Sequence, residues 1–282
     1  MNNPLETYFR QPSIYIKLPS GGKNYPMGAI EFNENSELAV YPMTAKDEIK
    51  MKTPDALLSG QSTVDVIKSC IPQIKDPWKV LSVDIDTILI SIRIASYGDS
   101  MAVKAPVPKT NTMVDIDVSL SEVLDNLDKS VPDGTVTLDN GLTIQINPVD
   151  YSLIAKQQLR VYDEQKMLQA VTNSDMDESE KIKRYTETFN KIANYSVDEM
   201  LASVQAVTVP GQDTVTDKAF IQEFITNMDV ATSKEIKKSI DTINAIGKAK
   251  SIKVQSPDAD VEKGAPAQFD LPLTFDVANF FA

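Results

Sequence analysis

Two pairs of closely spaced carboxylates are the residues of this chain whose types and spacing best suit chemistry. Asp115 and Asp117 lie two positions apart in a stretch that alternates apolar and polar residues, so in a strand they share one face. Asp84 and Asp86 flank the predicted start of a helix. Either pair suits a divalent metal ion or a carboxylate acid and base. The structural alternative is that the first pair forms the solvent face of a strand and that Asp84 caps a helix.

The counts of histidine and cysteine exclude most other catalytic chemistry. The 282 residues contain no histidine and one cysteine, Cys70. Without an imidazole there is no Ser-His-Asp or Cys-His pair, and a structural zinc site needs several Cys or His residues. No glycine-rich phosphate loop is present, and Gly21-Gly22-Lys23 is interpreted as a turn. We expect no enzyme activity, no catalytic residue, no metal and no cofactor. A hydrolase that uses Asp115 and Asp117 is the enzymatic alternative.

Charge and hydropathy indicate where the protein works. The formal net charge is 28 − 40 = −12, which disfavours nucleic acid as a partner because neutralising phosphates needs a basic surface. No stretch approaches the ~18 consecutive apolar residues of a membrane span, and the N-terminal residues lack the pattern of a signal peptide. A single cysteine agrees with a reducing compartment. A cytoplasmic protein without a membrane span is therefore expected.

The N-terminal part is predicted to mix short strands and helices. Strands are expected over residues 13–18 and 37–41, and helices start at Thr44 and at Thr53, with a third over residues 63–71. This third helix places Cys70 on an apolar side, so we interpret it as a buried structural thiol.

Residues 84–97, followed by Gly98 in a capping position, form the clearest helix of this part. Because its apolar residues occupy more than one face, the helix is expected to be central. Arg93 within it is expected to pair with a carboxylate, and Trp78 to anchor the edge of the core.

A β-hairpin around Asn140-Gly141, spanning residues 135–146, is the strongest local prediction. From residue 149 to about 250 the chain is predicted to be helical. The expected helices cover residues 148–172, 176–195, 197–207, 217–227 and 233–246.

Capping boxes and apolar stripes support these helices. The boxes pair Ser196 with Glu199 and Thr232 with Glu235. Two stripes are interpreted as helix-bundle core, namely Ile236-Ile240-Ile243 and Ile182-Tyr185-Phe189-Ile192. The predicted fold class is thus α+β. A mixed part with the hairpin covers residues 1–148, a mainly helical part covers 149–250, and an extended C-terminal segment covers 251–282.

Aromatic residues are concentrated near the C-terminus, at Phe269, Phe275, Phe280 and Phe281. Such side chains are seldom left in water, so they dock either on the protein itself or on a partner. Both alternatives stay open, and the four residues are candidate partner-binding residues. Removal of the residues after Gly264 is expected to leave a folded protein that no longer binds its partner.

Several strings, taken in order, carry a family resemblance. They are PSIYIKLPSGG at residues 12–22, YPMTAKDE at 41–48, TPDALLSG at 53–60, VIKSCI at 66–71, IRIASYG at 92–98 and FDVANFF at 275–281. Together they resemble the T-even-type bacteriophage baseplate hub assembly family. The likeness is strong over residues 11–98 and at the C-terminus, moderate around the hairpin, and one of general character in the helical half.

The resemblance implies a non-enzymatic role in baseplate morphogenesis of a contractile tail, in the cytoplasm of the infected host. The protein would act as a hub component or as a chaperone of hub assembly, with other baseplate hub or tail proteins as partners. A permanent place in the virion baseplate is the alternative. The oligomeric state stays open.

Some relatives carry Cys-x-x-Cys pairs after the Ser-Tyr-Gly stretch and near the C-terminus, which resemble metal knuckles. The corresponding residues 104–110 and 256–260 contain no cysteine in this chain. The resemblance therefore implies no zinc, and prolines are expected to hold the turn between strands instead.

Overall fold

The computed structural model of the protein describes residues 4–52, 59–127, 133–174, 176–273 and 280, with the backbone alone for residues 189, 190 and 192–194. The helix predicted to begin at Thr53 lies outside the described residues. The fold is α+β, as the sequence predicts.

The helices of the described part are α1 (Ala45–Met51), α2 (Gln61–Cys70), α3 (Ile85–Tyr97), α4 (Leu120–Asp125), α5 (Tyr151–Thr172), α6 (Glu178–Ser203), α7 (Lys218–Asn227), α8 (Val230–Asn244) and α9 (Asp258–Val261). The strands are β1 (Ile14–Ile16), β2 (Leu38–Val40), β3 (Ser100–Pro106), β4 (Met113–Ser119), β5 (Thr135–Thr137), β6 (Thr143–Ile146), β7 (Val204–Thr208), β8 (Thr214–Val215), β9 (Ile252–Gln255) and β10 (Gln268–Leu271). Three antiparallel pairs, β1–β2, β3–β4 and β9–β10, accompany one antiparallel sheet of order β5-β6-β7-β8.

Helix α3 lies at the centre of the first hydrophobic core. Ile88, Ile90 and Ile92 are fully buried, although they point to different sides of the helix. Their neighbours come from α2, β1, β2, β4 and α4. The helix ends at Gly98, whose φ of 90° suits glycine. These observations confirm the predicted central helix.

Cys70 is fully buried in the same core. Burial, together with the nearby Asp47 carboxylate, raises the pKa of its thiol to about 12. Since the thiolate is the reactive form, the prediction of a structural thiol is confirmed. Trp78 is half-buried and stacks on Tyr151, with the ring centroids 5.9 Å apart.

The second hydrophobic core lies between the four-stranded sheet and helices α6, α7 and α8. Ile236, Ile240 and Ile243 are buried in it, which confirms that stripe as core. The hairpin is also confirmed, with a three-residue loop in which Gly141 has a φ of 86°. The division of the chain at residue 148 stays a prediction, although the hairpin shares its sheet with β7 and β8.

The predicted helix over residues 197–207 is wrong in its second half. Helix α6 continues without a break to Ser203, and the chain then enters β7, where Val207 pairs with Ile144. The β-branched residues of this stretch suit a strand. Pairing with the edge of β6 gives their backbone N–H and C=O groups hydrogen-bond partners. Neighbouring strands, rather than local propensity, decide the structure at this point.

Both predicted capping boxes are also wrong. Ser196 and Glu199 lie inside α6. Asp229 caps α8 by accepting a hydrogen bond from the backbone N–H of Thr232 at 2.9 Å, while Glu235 accepts from the N–H of Asp139. A short capping pattern recurs by chance inside helices, so it needs the matching backbone geometry.

The two cores meet at a junction made of hydrogen bonds. The N–H of Ser82 donates to the carbonyl of Val149 at 2.8 Å, and the hydroxyl of Ser82 donates to Asn244 Oδ1 at 2.7 Å. Gly247 passes so close to the carbonyl of Val83 that a Cβ at this position would lie 1.9 Å from that oxygen. The junction is therefore tight and specific.

Candidate interaction sites

Asp115 and Asp117 lie on the exposed face of β4. Asp115 stands opposite Lys104 of β3, with 3.7 Å between Nζ and Oδ1 and with both side chains 75% exposed. Val118 and Ile116 turn the other way and pack on the first core. The interpretation as a solvent face is confirmed. Within the described part of the chain, no three acidic or cysteine side chains lie close enough together to hold a metal ion.

Asp84 has a different role from the predicted helix cap. Its side chain makes no capping hydrogen bond to α3. It is fully buried and accepts hydrogen bonds from the N–H of Ser20 at 2.9 Å and from the hydroxyl of Tyr25 at 2.6 Å. Asp86 similarly accepts from the N–H of Ala249 at 2.9 Å. These two carboxylates tie distant loops to the start of α3, which is a structural role.

Phe280 docks on the protein itself. Its side chain is 4% exposed and belongs to the first core. Arg93 donates a hydrogen bond to the carbonyl of Phe280, and its guanidinium lies 5.3 Å from the ring centres of both Phe280 and Tyr97. Among the described residues, Arg93 makes these contacts rather than the expected ion pair with a carboxylate. In this arrangement the ring of Phe280 is not open to a partner.

The other candidate aromatic residues are placed differently. Phe269 lies half-buried on β10, opposite Val254 of β9. Phe275 and Phe281 lie outside the described residues. Cutting the chain after Gly264 would remove β10 and Phe280 together. Because β9 would lose its partner strand and the first core would lose Phe280, we now expect this truncation to destabilise the fold. Partner binding by these four residues stays a prediction.

The two segments that carry cysteine pairs in some relatives meet in this structure. Thr112, at the end of the β3–β4 turn, donates a hydrogen bond to Asp260 Oδ1 at 2.8 Å. Val107 and Asp260 are both buried. Beside the expected prolines, Lys109 and Asn111 shape the turn with φ values of 72° and 56°. Hydrogen bonding and burial thus hold the two segments together.

Helices α5 and α6 form a long antiparallel pair, which we call the arm. With 22 residues, α5 spans about 33 Å. Two ion pairs join the described side chains of the helices: Glu164 pairs with Lys191 at 3.2 Å, and Arg160 pairs with Asp198 at 2.8 Å. Ile182, predicted as bundle core, is 59% exposed, so that prediction is wrong for this residue. The side chains of Phe189 and Ile192 lie outside the described part.

The arm carries exposed apolar residues, of which the sequence singled out only Ile182, and that as core. Four of the sixteen exposed large hydrophobic residues in the described part lie within this pair, namely Leu159, Val161, Met167 and Ile182, and Met176 lies in the connection between the two helices. The sequence does indicate such exposure, because α5 carries apolar residues on several sides of an otherwise charged helix. Only the packing shows that a third helix does not cover them.

Comparison with protein families matches residues 11–264 to the family described as T4 bacteriophage base plate protein. The chain belongs to this family. No curated protein and no solved structure matches it. Membership of this family supports a structural or assembly role in the phage baseplate, with other phage tail proteins as partners and the virion tail baseplate as its place. Among the described residues of this base plate protein, no helix combines the length and apolar character that crossing a membrane requires.

Proposed function

We propose that the protein acts in assembly of the baseplate hub of a contractile tail, as an assembly chaperone or as a hub component. It acts through protein–protein surfaces, without catalysis and without binding nucleic acid, and it does so in the host cytoplasm. The exposed apolar residues of the arm are the observation that carries this proposal. Single exposed apolar residues are ordinary on a protein surface, but their concentration on one element is typical of a binding surface.

The seam between the two helices of the arm adds to this support. Among the described side chains of the arm, the ion pairs of Arg160 with Asp198 and of Lys191 with Glu164 cross the seam, and pairs of this partly exposed kind stabilise a helix pair only a little. Leu159 and Val161 lie two residues apart on α5 and therefore on different sides of the helix. A partner that covers either side would bury apolar surface, at about 25 cal/mol per Å² removed from water. The arm is therefore suited to hold another protein of the baseplate.

Co-purification from infected cells tests the proposal. A tagged protein with Leu159→Glu and Ile182→Glu is expected to lose the hub proteins that accompany the wild type, because charges would enter the apolar contact. The matched control is Phe220→Glu with Val230→Glu, which changes two exposed apolar residues outside the arm. Equal recovery of hub proteins with both variants would reject the arm as the binding surface.

Mass spectrometry of purified particles separates the two forms of the proposal. A chaperone is expected to be absent from the particle, while a hub component or another permanent constituent is present in stoichiometric amount. This measurement is independent of the arm variants.

The absence of catalysis has its own test. We expect no Mg²⁺- or Ca²⁺-dependent rise in melting temperature, since Asp115 and Asp117 face solvent on one strand. A metal-dependent rise that disappears in Asp115→Asn would favour the hydrolase alternative instead.

A further inference from the structure

The longest concentration of positive charge in this acidic protein lies along α8 and the segment after it. Residues 233–253 contain six lysines and two acidic residues, a local charge of 6 − 2 = +4, whereas the whole chain carries −12. Such a local reversal of sign creates a field that attracts negative groups.

Helix α8 borders an open groove beside α6. The groove has a volume of about 660 Å³ and is lined by Ser196, Met200, Ser233, Lys234, Lys237, Lys238, Asp241, Thr242 and Ala245. Its volume falls within the range of about 300–1,000 Å³ that is usual for binding pockets. Its lining thus combines apolar groups with three lysines.

The three lysines differ in their partners. Lys237 is neutralised within the protein, since its Nζ lies 2.7 Å from both Glu199 Oε2 and Asp241 Oδ1. Lys234 and Lys238 are exposed, and neither makes an ion pair with the described residues. They lie four residues apart, so their side chains project from the same face of α8 one turn apart. These two cations are available to a ligand.

We infer that this groove binds an acidic amphipathic segment of another protein. Two carboxylates one helical turn apart would face Lys234 and Lys238, and an apolar side chain between them would enter the groove over Met200. This arrangement is the helix-in-groove mode of peptide recognition, with charge complementarity setting the orientation. It deepens the proposed function, on which it rests, because it names the chemistry of one partner.

Nucleic acid fits the groove less well. The lining contains neither an arginine for bidentate phosphate contacts nor an aromatic ring for base stacking. A long polyanion would also extend from the patch over a surface of net negative charge. A short acidic segment avoids this repulsion because it ends within about one Debye length of the lysines.

Fluorescence anisotropy with a labelled acidic peptide tests the inference on the full chain. The probe is a short helical peptide of Glu, Leu and Ala with its Glu residues four positions apart, compared with a scrambled peptide of the same composition. Lys234→Gln with Lys238→Gln is expected to weaken binding of the ordered peptide by about tenfold. The matched control, Lys23→Gln with Lys263→Gln, removes two exposed charges elsewhere and is expected to keep the affinity.

Three results would overturn the inference: equal binding of the ordered and scrambled peptides, equal affinity of the two lysine variants, or tighter binding of a single-stranded DNA oligonucleotide. Co-purification of the same variants from infected cells separates this inference from the proposed function. If hub proteins are retained while the peptide fails to bind, the groove inference falls alone. If the peptide binds as expected while no hub protein is recovered, the proposed function falls alone.

Discussion

Two buried carboxylates show how surroundings set the behaviour of one residue type. Burial raises the pKa of Asp84 above its usual value, and the hydrogen bonds from Ser20 and Tyr25 offset this only in part. Burial acts on Asp47 in the same direction, but hydrogen bonds from Thr44 and Ser69 and the charge of Arg10 outweigh it, so its pKa is lowered. The two pKa values shift in opposite directions because Asp47 accepts hydrogen bonds from more donors and lies near a cation, Arg10.

Replacement of Asp47 by Asn is expected to destabilise the protein by about 1–3 kcal/mol at neutral pH. The carboxylate accepts hydrogen bonds from the N–H of Thr44 at 2.9 Å and from the hydroxyl of Ser69 at 2.8 Å, and it lies 3.7 Å from Arg10. All these donors meet Oδ2, and the neutral amide oxygen of Asn would accept from them more weakly and would remove the negative charge beside Arg10. Urea denaturation measures the loss. Glu48→Gln is the control, since it breaks only an exposed pair with Lys52.

The pH dependence of Asp84→Asn is expected to have the opposite sign to that of Asp47→Asn. Because the folded pKa of Asp84 is raised, its contribution to stability falls as pH rises above the unfolded value of about 3.8. The Asn variant should therefore gain stability relative to wild type between about pH 4 and neutrality. For Asp47 the lowered pKa places the change below 3.8, where the deficit of the variant shrinks with falling pH. If the free energy of unfolding relative to wild type changed with pH in the same direction in both variants, this assignment would be contradicted.

At the scale of elements, short sequence patterns predicted correctly the helix ends and turns that depend on local backbone geometry. Gly98 ended α3, Asn140-Gly141 located the hairpin, and Thr44 with Asp47 formed a capping box at α1. Residues 204–208 could not be assigned in this way, because their structure depends on pairing with β6, about sixty positions earlier.

The candidate site was less predictable than the elements. The concentration of aromatic residues at the C-terminus drew attention to Phe280, but its docking on Arg93 joins residues 187 positions apart. The exposure of the arm and the groove beside α8 depend on which faces other helices leave uncovered. No pattern within one helix contains that information.

Alanine substitution in the turn between α8 and β9 tests how closely this turn approaches the residues before α3. Gly247→Ala is expected to destabilise the protein more than Gly211→Ala. Both glycines have similar positive φ values, 69° and 74°, so the backbone strain of an alanine, about 1–2 kcal/mol, is common to both. A Cβ on Gly247 would in addition meet the carbonyl of Val83 at 1.9 Å, whereas a Cβ on Gly211 has no atom within 4 Å. Equal melting temperatures would show that the junction can open without cost.

At the scale of the whole molecule, the second core is nested within the first. The first core contains residues from Ile16 to Leu127 and then Phe280, with Ile252 and Leu273 packed against it. The second core is built from residues between Leu138 and Ile243. The chain thus leaves the first core, builds the second, and returns. The predicted division at residue 148 falls inside the second core, between Ile146 and Met200.

Loss of the returning segment is expected to weaken the first core. Phe280→Ala should lower the free energy of unfolding by about 3 kcal/mol, because the ring fills space beside α3 and covers Arg93. Phe220→Ala is the matched control, since its ring is 63% exposed, and a change of at most about 0.5 kcal/mol is expected. Chemical denaturation measures both. Equal effects would show that the ring contributes nothing to the core.

The nested order also determines which of the two cores is synthesised completely first. As the chain leaves the ribosome, all the described buried residues of the second core have been synthesised while the first core still lacks Phe280. Until the last segment emerges, part of the apolar surface around α3 stays open to other molecules. A chain that stops before Phe280 would therefore leave part of the first core exposed to other molecules.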